Sequence, residues 1–169
     1  MSSILRDRRA LVRMGLGGTL AFGFSSGLAV AQQTATTTFQ VTATVQATCL
    51  ISATDLAFGT YIGVQTDATS TITVTCTNTT PWTIGLNAGT APGATVTTRR
   101  MINGAAQLAY ALYRDPARTL NWGTTIGTDT LAGTGTGIAS PQTVYGRVTA
   151  GQFPAPGGYV DTITATITF

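Results

Sequence analysis

The last residues of the chain, 162–169, alternate between threonine and apolar or small side chains. The apolar or small set is Ile163, Ala165, Ile167 and Phe169. A side-chain repeat of two residues is typical of a β-strand with one buried face. Because a strand inside a sheet needs a hydrogen-bonded neighbour on each side, we expect an earlier segment or another polypeptide to pair with this one.

A second alternating segment lies near the other end of the chain, at residues 36–45. Its apolar face consists of Phe39, Val41, Ala43 and Val45, and the pattern predicts a strand.

Asn103-Gly104 between two apolar runs predicts a β-hairpin, and the GTGTG run at 133–137 predicts a turn. Further strands are predicted from Cys49 onward and at 56–61, 70–77, 82–86, 105–113, 124–131 and 143–149. Many short strands separated by turns favour an all-β sandwich, with a barrel as the alternative.

Residues 1–31 are typical of a secretory signal peptide. Four arginines come early, a carboxylate-free run follows from Met14, and the segment ends in the small-x-small sequence Ala29-Val30-Ala31. The alternative, a membrane anchor, usually needs about 20 strongly apolar residues. We therefore predict an exported protein whose mature part is one domain of 138 residues, 32–169.

Removal of the signal peptide changes the charge of the protein. Four of the nine arginines and one of the six aspartates lie in residues 1–31, so the mature chain carries five of each and no net charge. We therefore expect no binding to nucleic acid. The mature chain also contains 35 threonines and 15 glycines, which favour pleated strands and turns.

The composition argues against catalysis. The mature chain has no histidine, lysine or glutamate, so acid-base chemistry would depend on five aspartates in separate segments. Its three serines have no base to activate them. We predict that the protein is not an enzyme and has no cofactor, metal or small-molecule substrate.

The mature chain contains two cysteines, Cys49 and Cys76. An even number of cysteines in an exported chain predicts one disulfide. The alternative, a metal site, is disfavoured because two thiols without histidine do not complete a tetrahedral shell.

Seven segments of the mature chain form a recognisable series. These segments are VQATCLIS around Cys49, LAFGTY (56–61), ITVTC (72–76), LAYALYRD (108–115), VYGRV (144–148), AGQ (150–152) and GYVDTITATITF (158–169). Together they resemble the spore coat protein U domain, the fold of archaic chaperone-usher pilus subunits, and they occur in the expected order over nearly all of the mature chain.

The resemblance implies an incomplete immunoglobulin-like β-sandwich of pilin type, which is completed by a donor strand. Residues 32–48 would be the N-terminal donor extension and residues 49–169 the sandwich. In such subunits a periplasmic chaperone pairs with the exposed edge, an outer-membrane usher exchanges it, and the extension of the next subunit then fills the groove. The implied donor side chains are Phe39, Val41, Ala43 and Val45, and the implied acceptor side chains are Ile163, Ala165, Ile167 and Phe169.

We therefore expect a structural subunit of an extracellular fibre that serves adhesion or biofilm formation, with neighbouring copies as partners. Two alternatives remain for its role. One is a spore or cell-surface coat protein that assembles in the same way, and the other is a carbohydrate-binding module that uses Trp82 and Trp122. A separate alternative concerns residues 39–45, which could fold back beside the last strand of their own domain.

Overall fold

The computed structural model describes residues 31–169, so the predicted signal peptide lies outside the described residues except for Ala31. The chain divides into an N-terminal unit that ends at Thr42 and a compact unit, Ala43–Phe169. All regular structure in the described part is β-strand, and this part contains no helix long and apolar enough to cross a membrane. The strands are β1 (Cys49–Ala53), β2 (Thr66–Cys76), β3 (Pro81–Leu86), β4 (Arg99–Asn103), β5 (Ala106–Tyr113), β6 (Leu131–Thr134), β7 (Ser140–Val148) and β8 (Ala165–Thr168).

The eight strands form two antiparallel sheets. One sheet has five strands in the order β1-β2-β7-β5-β4, and the other has three in the order β6-β3-β8. Cys49 lies opposite Cys76 in the first sheet, and Ile84 lies opposite Ile167 in the second. The predicted all-β sandwich is confirmed, and so is the hairpin at Asn103-Gly104, which joins β4 to β5.

The core lies between the two sheets because every second residue of the longer strands points inward. Twelve side chains form this cluster, and burial of each large one stabilises the fold by roughly 1.5–3 kcal/mol. The alternation predicted for β2, β3, β5 and β7 is therefore confirmed. The cluster consists of Ile72, Val74, Cys76, Trp82, Ile84, Leu86, Leu108, Tyr110, Leu112, Trp122, Val144 and Val148.

Residues 56–61 were predicted as a strand but form an extended loop without ladder pairing. Gly59 has φ +70°, a left-handed conformation that interrupts a strand. Leu56 and Phe58 still pack against the core, over Gly146 of β7, where a Cβ atom would collide with both side chains. The alternating pattern therefore marked burial correctly here and was wrong about the pairing.

Two other predictions were also wrong. Residues 124–130 form a loop rather than a strand, because the Asp129 carboxylate accepts the Thr125 N–H at 2.6 Å and folds the backbone back. Only Leu131 of that prediction is in a strand. Gly133 and Thr134, predicted as part of a turn, belong to β6 and pair with Trp82 and Pro81.

The predicted disulfide between Cys49 and Cys76 is confirmed, and it links β1 to β2 across directly opposed positions. We expect replacement of both cysteines by alanine to lower the free energy of unfolding by about 3 kcal/mol, because the crosslink restricts the unfolded chain. Urea denaturation of the variant and of the oxidised and reduced wild-type protein measures this loss. Equal midpoints for all three samples would contradict the prediction.

Candidate functional site: an open groove between the first and last strands

Strands β1 and β8 each lie at the edge of a sheet and face the same gap. β1 pairs only with β2, and β8 pairs only with β3. A tight turn closed by the Thr80 N–H and the Thr77 carbonyl reverses the chain between β2 and β3. Since each of the two edge strands is antiparallel to its partner, β1 and β8 run in opposite directions along the gap.

The backbone of β8 has unpaired groups on the side of the gap. Asn87 N–H donates to the Thr164 carbonyl at 3.1 Å, which places the hydrogen-bonding groups of residues 164, 166 and 168 toward β3. The N–H and C=O groups of residues 163, 165 and 167 therefore point the other way. No strand of the described chain pairs with them.

The backbone of β1 has the same arrangement on the opposite rim. Thr54 N–H donates to the Thr71 carbonyl and Thr77 N–H to the Thr48 carbonyl, both at 2.9 Å, so the even-numbered residues bond toward β2. The backbone groups of Cys49, Ile51 and Ala53 consequently face the gap. Two unpaired edges thus border one opening.

The gap leads into an apolar groove with a cavity volume of about 400 Å³. Its rims are residues 53–58 on one side and 159–165 on the other. Both sheets contribute to its floor, so the groove exposes the core of the sandwich. The floor residues are Ile72, Leu86, Met101, Tyr110, Leu112 and Val144.

A hydrogen-bond network around Asp161 lies on the polar side of the groove. The Tyr110 hydroxyl donates to Asp161 Oδ2 at 2.6 Å, and the Thr90 N–H and hydroxyl donate to Asp161 Oδ1 at 2.7 and 2.9 Å. The Thr162 N–H adds a fourth bond to the same carboxylate at 2.8 Å. Burial, followed by the bond to Asp161, raises the pKa of Tyr110 above its usual value. The carboxylate is thus fully engaged in fixing the rim.

Val160 ties this rim to the five-stranded sheet as well. Its N–H and C=O groups exchange hydrogen bonds with Ile102 at 3.1 and 2.8 Å. Thr164 N–H donates to the Asn87 side chain at 2.9 Å. The rim is therefore fixed on three sides, and only its groove-facing backbone is free.

The family of this chain follows from comparison with known proteins. Residues 35–166 match the family model of the Spore Coat Protein U domain. The chain belongs to the Spore Coat Protein U domain family. Protein U of Myxococcus xanthus is similar to it, with 41% identity over 128 residues that cover 68% of this chain and 71% of that protein.

A solved structure shares the fold of this Spore Coat Protein U domain. It is the crystal structure of the CsuC-CsuE chaperone-tip adhesion subunit pre-assembly complex from archaic chaperone-usher Csu pili of Acinetobacter baumannii. The TM-score is 0.55 at 25% identity, over 75% of this chain and 40% of the solved chain. This chain thus spans less than half of the solved one. The predicted pilin-type fold is confirmed, and because the family is structural, the protein is not an enzyme.

The predicted acceptor residues occupy different positions along the Spore Coat Protein U domain groove. Ile163 and Ala165 line the cavity, and Ile167 packs against the core beside it. Phe169 lies beyond the end of β8 and is 56% exposed. Their role in accepting a strand stays a prediction.

The predicted donor residues lie in a segment without secondary structure. Residues 31–48 form no strand, and the side chains of Phe39, Val41 and Val45 are 84%, 84% and 82% exposed. Ala43 is exposed too. The strand predicted for residues 36–45 is therefore not formed in the single chain, where an isolated strand has no partner for its backbone.

Sequence reasoning missed two parts of the site. One is the loop that forms the rim around Leu56 and Phe58, because the alternating pattern predicted a strand there. The other is the bond between Tyr110 and Asp161, which are 51 positions apart and carry no shared motif. The available signal was Asp161, a single aspartate directly before the alternating segment 162–169.

We expect the free energy of unfolding to fall less between neutral and alkaline pH for the Tyr110→Phe variant than for the wild type. Because the pKa of folded Tyr110 is raised, its stabilising effect is complete below about pH 10, the unfolded value, and declines as pH rises toward the folded value. When the free energy of unfolding is plotted against pH, the slopes of the two proteins should differ by less than about 1.4 kcal/mol per pH unit, which is the limit for one proton. Urea titrations between pH 8 and 11 measure it. Parallel curves for the two proteins would contradict the role given to this hydroxyl.

Proposed function

We propose that this protein is a non-enzymatic structural subunit of a chaperone-usher pilus, which assembles by donor-strand exchange. In this scheme residues 32–48 of one subunit enter the groove of another and lie between β1 and β8. The observation that supports the proposal best is the pair of unpaired backbone edges on the two sides of an apolar groove.

The donor segment fits such a site in two respects. Its backbone supplies the N–H and C=O groups that both edges lack, which is the basis of β-augmentation. Its apolar side chains at every second position would point together into the groove, where the floor is apolar. Residues 163, 165 and 167 on one rim and 49, 51 and 53 on the other offer matching alternate positions for these bonds.

The burial energy is large enough for a lasting joint. Phe39, Val41 and Val45 are almost fully exposed in the single chain. Their burial at roughly 1.5–3 kcal/mol each gives on the order of 5–9 kcal/mol before ordering costs. Each new backbone hydrogen bond adds about 0.5–1.5 kcal/mol.

The proposal includes the partners and the route of export. A periplasmic chaperone would cover the groove before assembly, and the chaperone-bound subunit named in the Acinetobacter structure supports this step. An outer-membrane usher would then exchange the chaperone for the next copy or a related subunit. The fibre would lie on the cell surface and serve adhesion or biofilm formation.

A coat protein assembled by the same strand exchange is the second candidate function. The family name, Spore Coat Protein U domain, favours it. Neighbouring chaperone and usher genes would separate the pilus from the coat. The third candidate, carbohydrate binding through Trp82 and Trp122, loses its basis because these side chains are 5% and 0% exposed.

We expect the Val41→Asp variant to lose polymerisation, because it would place a charge in the apolar groove. The matched control is Gln40→Asp, which adds the same charge one position away on the opposite face of the donor segment. Gel filtration and electron microscopy of the purified proteins measure polymer length. Fibres of normal length from Val41→Asp would refute donor-strand exchange through this segment.

We also expect a mixture of two defective subunits to stop at dimers. Ala165→Phe adds a ring inside the groove, so this variant should donate a strand but not accept one. Val41→Asp should accept but not donate, so together the two variants give one-to-one dimers, which native mass spectrometry detects. The control Thr166→Phe changes the adjacent, outward-facing residue and should polymerise. Long polymers from the mixture, or no association between folded partners, would contradict the scheme.

A further inference from the structure

Residues 55–60, which follow β1, form a strap that is anchored at its two ends. At one end the Thr54 N–H donates to the Thr71 carbonyl at 2.9 Å. At the other end the Tyr61 hydroxyl donates to the Thr149 carbonyl at 2.7 Å. Between these anchors, no backbone group of residues 55–60 makes a hydrogen bond within the described part of the chain.

Two apolar side chains hold the strap against the domain. Leu56 and Phe58 are half-buried and pack against the core, whereas the other residues of the strap are exposed. The Phe58 ring meets the Tyr110 ring edge-to-face, with 6.1 Å between the ring centroids. Segments with few buried contacts and no backbone hydrogen bonds open at a low cost in free energy. The strap can therefore lift without breaking any backbone hydrogen bond of its own.

The strap lies between two cavities. The groove, of about 400 Å³, is on one side, and a second cavity of about 850 Å³ that is also lined by residues 152–158 is on the other. Four residues line both cavities, namely Leu56, Phe58, Met101 and Tyr159. The strap supplies two of these four, so its displacement would join the cavities into one longer trough.

The proposed donor segment is longer than the free edges of the groove. Its apolar face, 39–45, spans six residue steps, or about 20 Å in an extended strand. The free edges, 49–53 and 163–167, each span four steps, or about 13 Å. A fully inserted segment therefore needs about 7 Å of additional trough, which the second cavity offers at the end where β1 leads into the strap.

We propose that residues 55–60 are a movable lid over one end of the acceptor groove, and that the incoming strand of a second copy displaces Leu56 and Phe58 as it inserts fully. In the single chain the closed lid covers part of the apolar floor, including Tyr110. In the open state the strand reaches the second cavity. This inference rests on the proposed donor-strand exchange, because the incoming strand is the ligand that opens the lid.

Uptake of a strand by a full-length acceptor tests the lid. The acceptor is the Val41→Asp chain, which should accept a strand but not donate one, and the strand is a fluorescently labelled synthetic peptide of residues 36–45. We expect Phe58→Ala in this background to raise the association rate constant of the peptide about tenfold, because a lid without the ring is open more often. The matched control, Phe153→Ala, removes an exposed ring that lines the second cavity outside the strap, and it should leave the association rate constant unchanged.

The two rate constants, measured by stopped-flow fluorescence, distinguish a lid from a fixed wall. If Phe58 belonged to a fixed wall that touches the bound strand, Phe58→Ala would speed dissociation and would not speed association. An unchanged or lower association rate constant would therefore overturn the lid and leave the proposed function standing. Absence of peptide binding to the folded Val41→Asp chain, with or without Phe58→Ala, would overturn both proposals.

A direct measurement covers the case in which Phe58→Ala does not fold. Nuclear Overhauser effects between the Phe58 and Tyr110 rings report the closed lid in the Val41→Asp acceptor. We expect these signals in the free acceptor and their loss when the acceptor is saturated with the peptide. Their persistence in the saturated complex would overturn the lid.

Discussion

The requirement that backbone polar groups find partners governs this structure. Strands β1 and β8 satisfy only one side of their backbone, and both unsatisfied sides border the same groove. The core is exposed at that place too, because residues from both sheets form the floor of the groove. One additional strand would pair with both backbone edges and would also cover the exposed core.

Each rim of the groove is fixed to its own sheet, which keeps the opening in place. The Cys49–Cys76 disulfide and the Thr48–Thr77 bonds hold β1 against β2. Asp161 and Val160 hold the other rim through Thr90, Tyr110 and Ile102. A preformed groove costs less ordering entropy on binding than one that must first open.

Charged side chains of the domain, both buried and exposed, bind partners within the same chain. Arg99 is fully buried and donates to the carbonyls of Leu86, Asn87, Val96 and Trp122 at 2.6–2.9 Å. Burial lowers the pKa of Arg99, yet an arginine stays protonated in proteins. On the surface, Arg147 binds Asp67 through two bonds of 2.7 and 2.8 Å, and this pairing lowers the pKa of Asp67. With these charges engaged inside one chain, the proposed recognition between subunits would depend on apolar side chains and backbone bonds.

The sequence predicted the elements whose side-chain burial decides their structure. Alternation located β2, β3 and β7 because each has one face in the core. Asn103-Gly104 located the hairpin, but only Gly104 has a positive φ, since Asn103 still pairs with Ala106 at the end of β4. Alternation failed at residues 56–61, where the side chains are packed but Gly59 prevents pairing. The Tyr110–Asp161 bond was beyond prediction, since it depends on how two distant segments meet in space.

The remaining discrepancy, at residues 36–45, has a different cause. These residues have the alternation of a strand and form none within the described chain, while residues 49–53 and 163–167 have free edges and no strand between them. A segment with a strand pattern forms a strand only when a neighbouring strand supplies hydrogen bonds. An unpaired strand edge, in turn, tends to pair with another strand. On the proposed assembly, the unformed strand and the empty groove are the two halves of one joint.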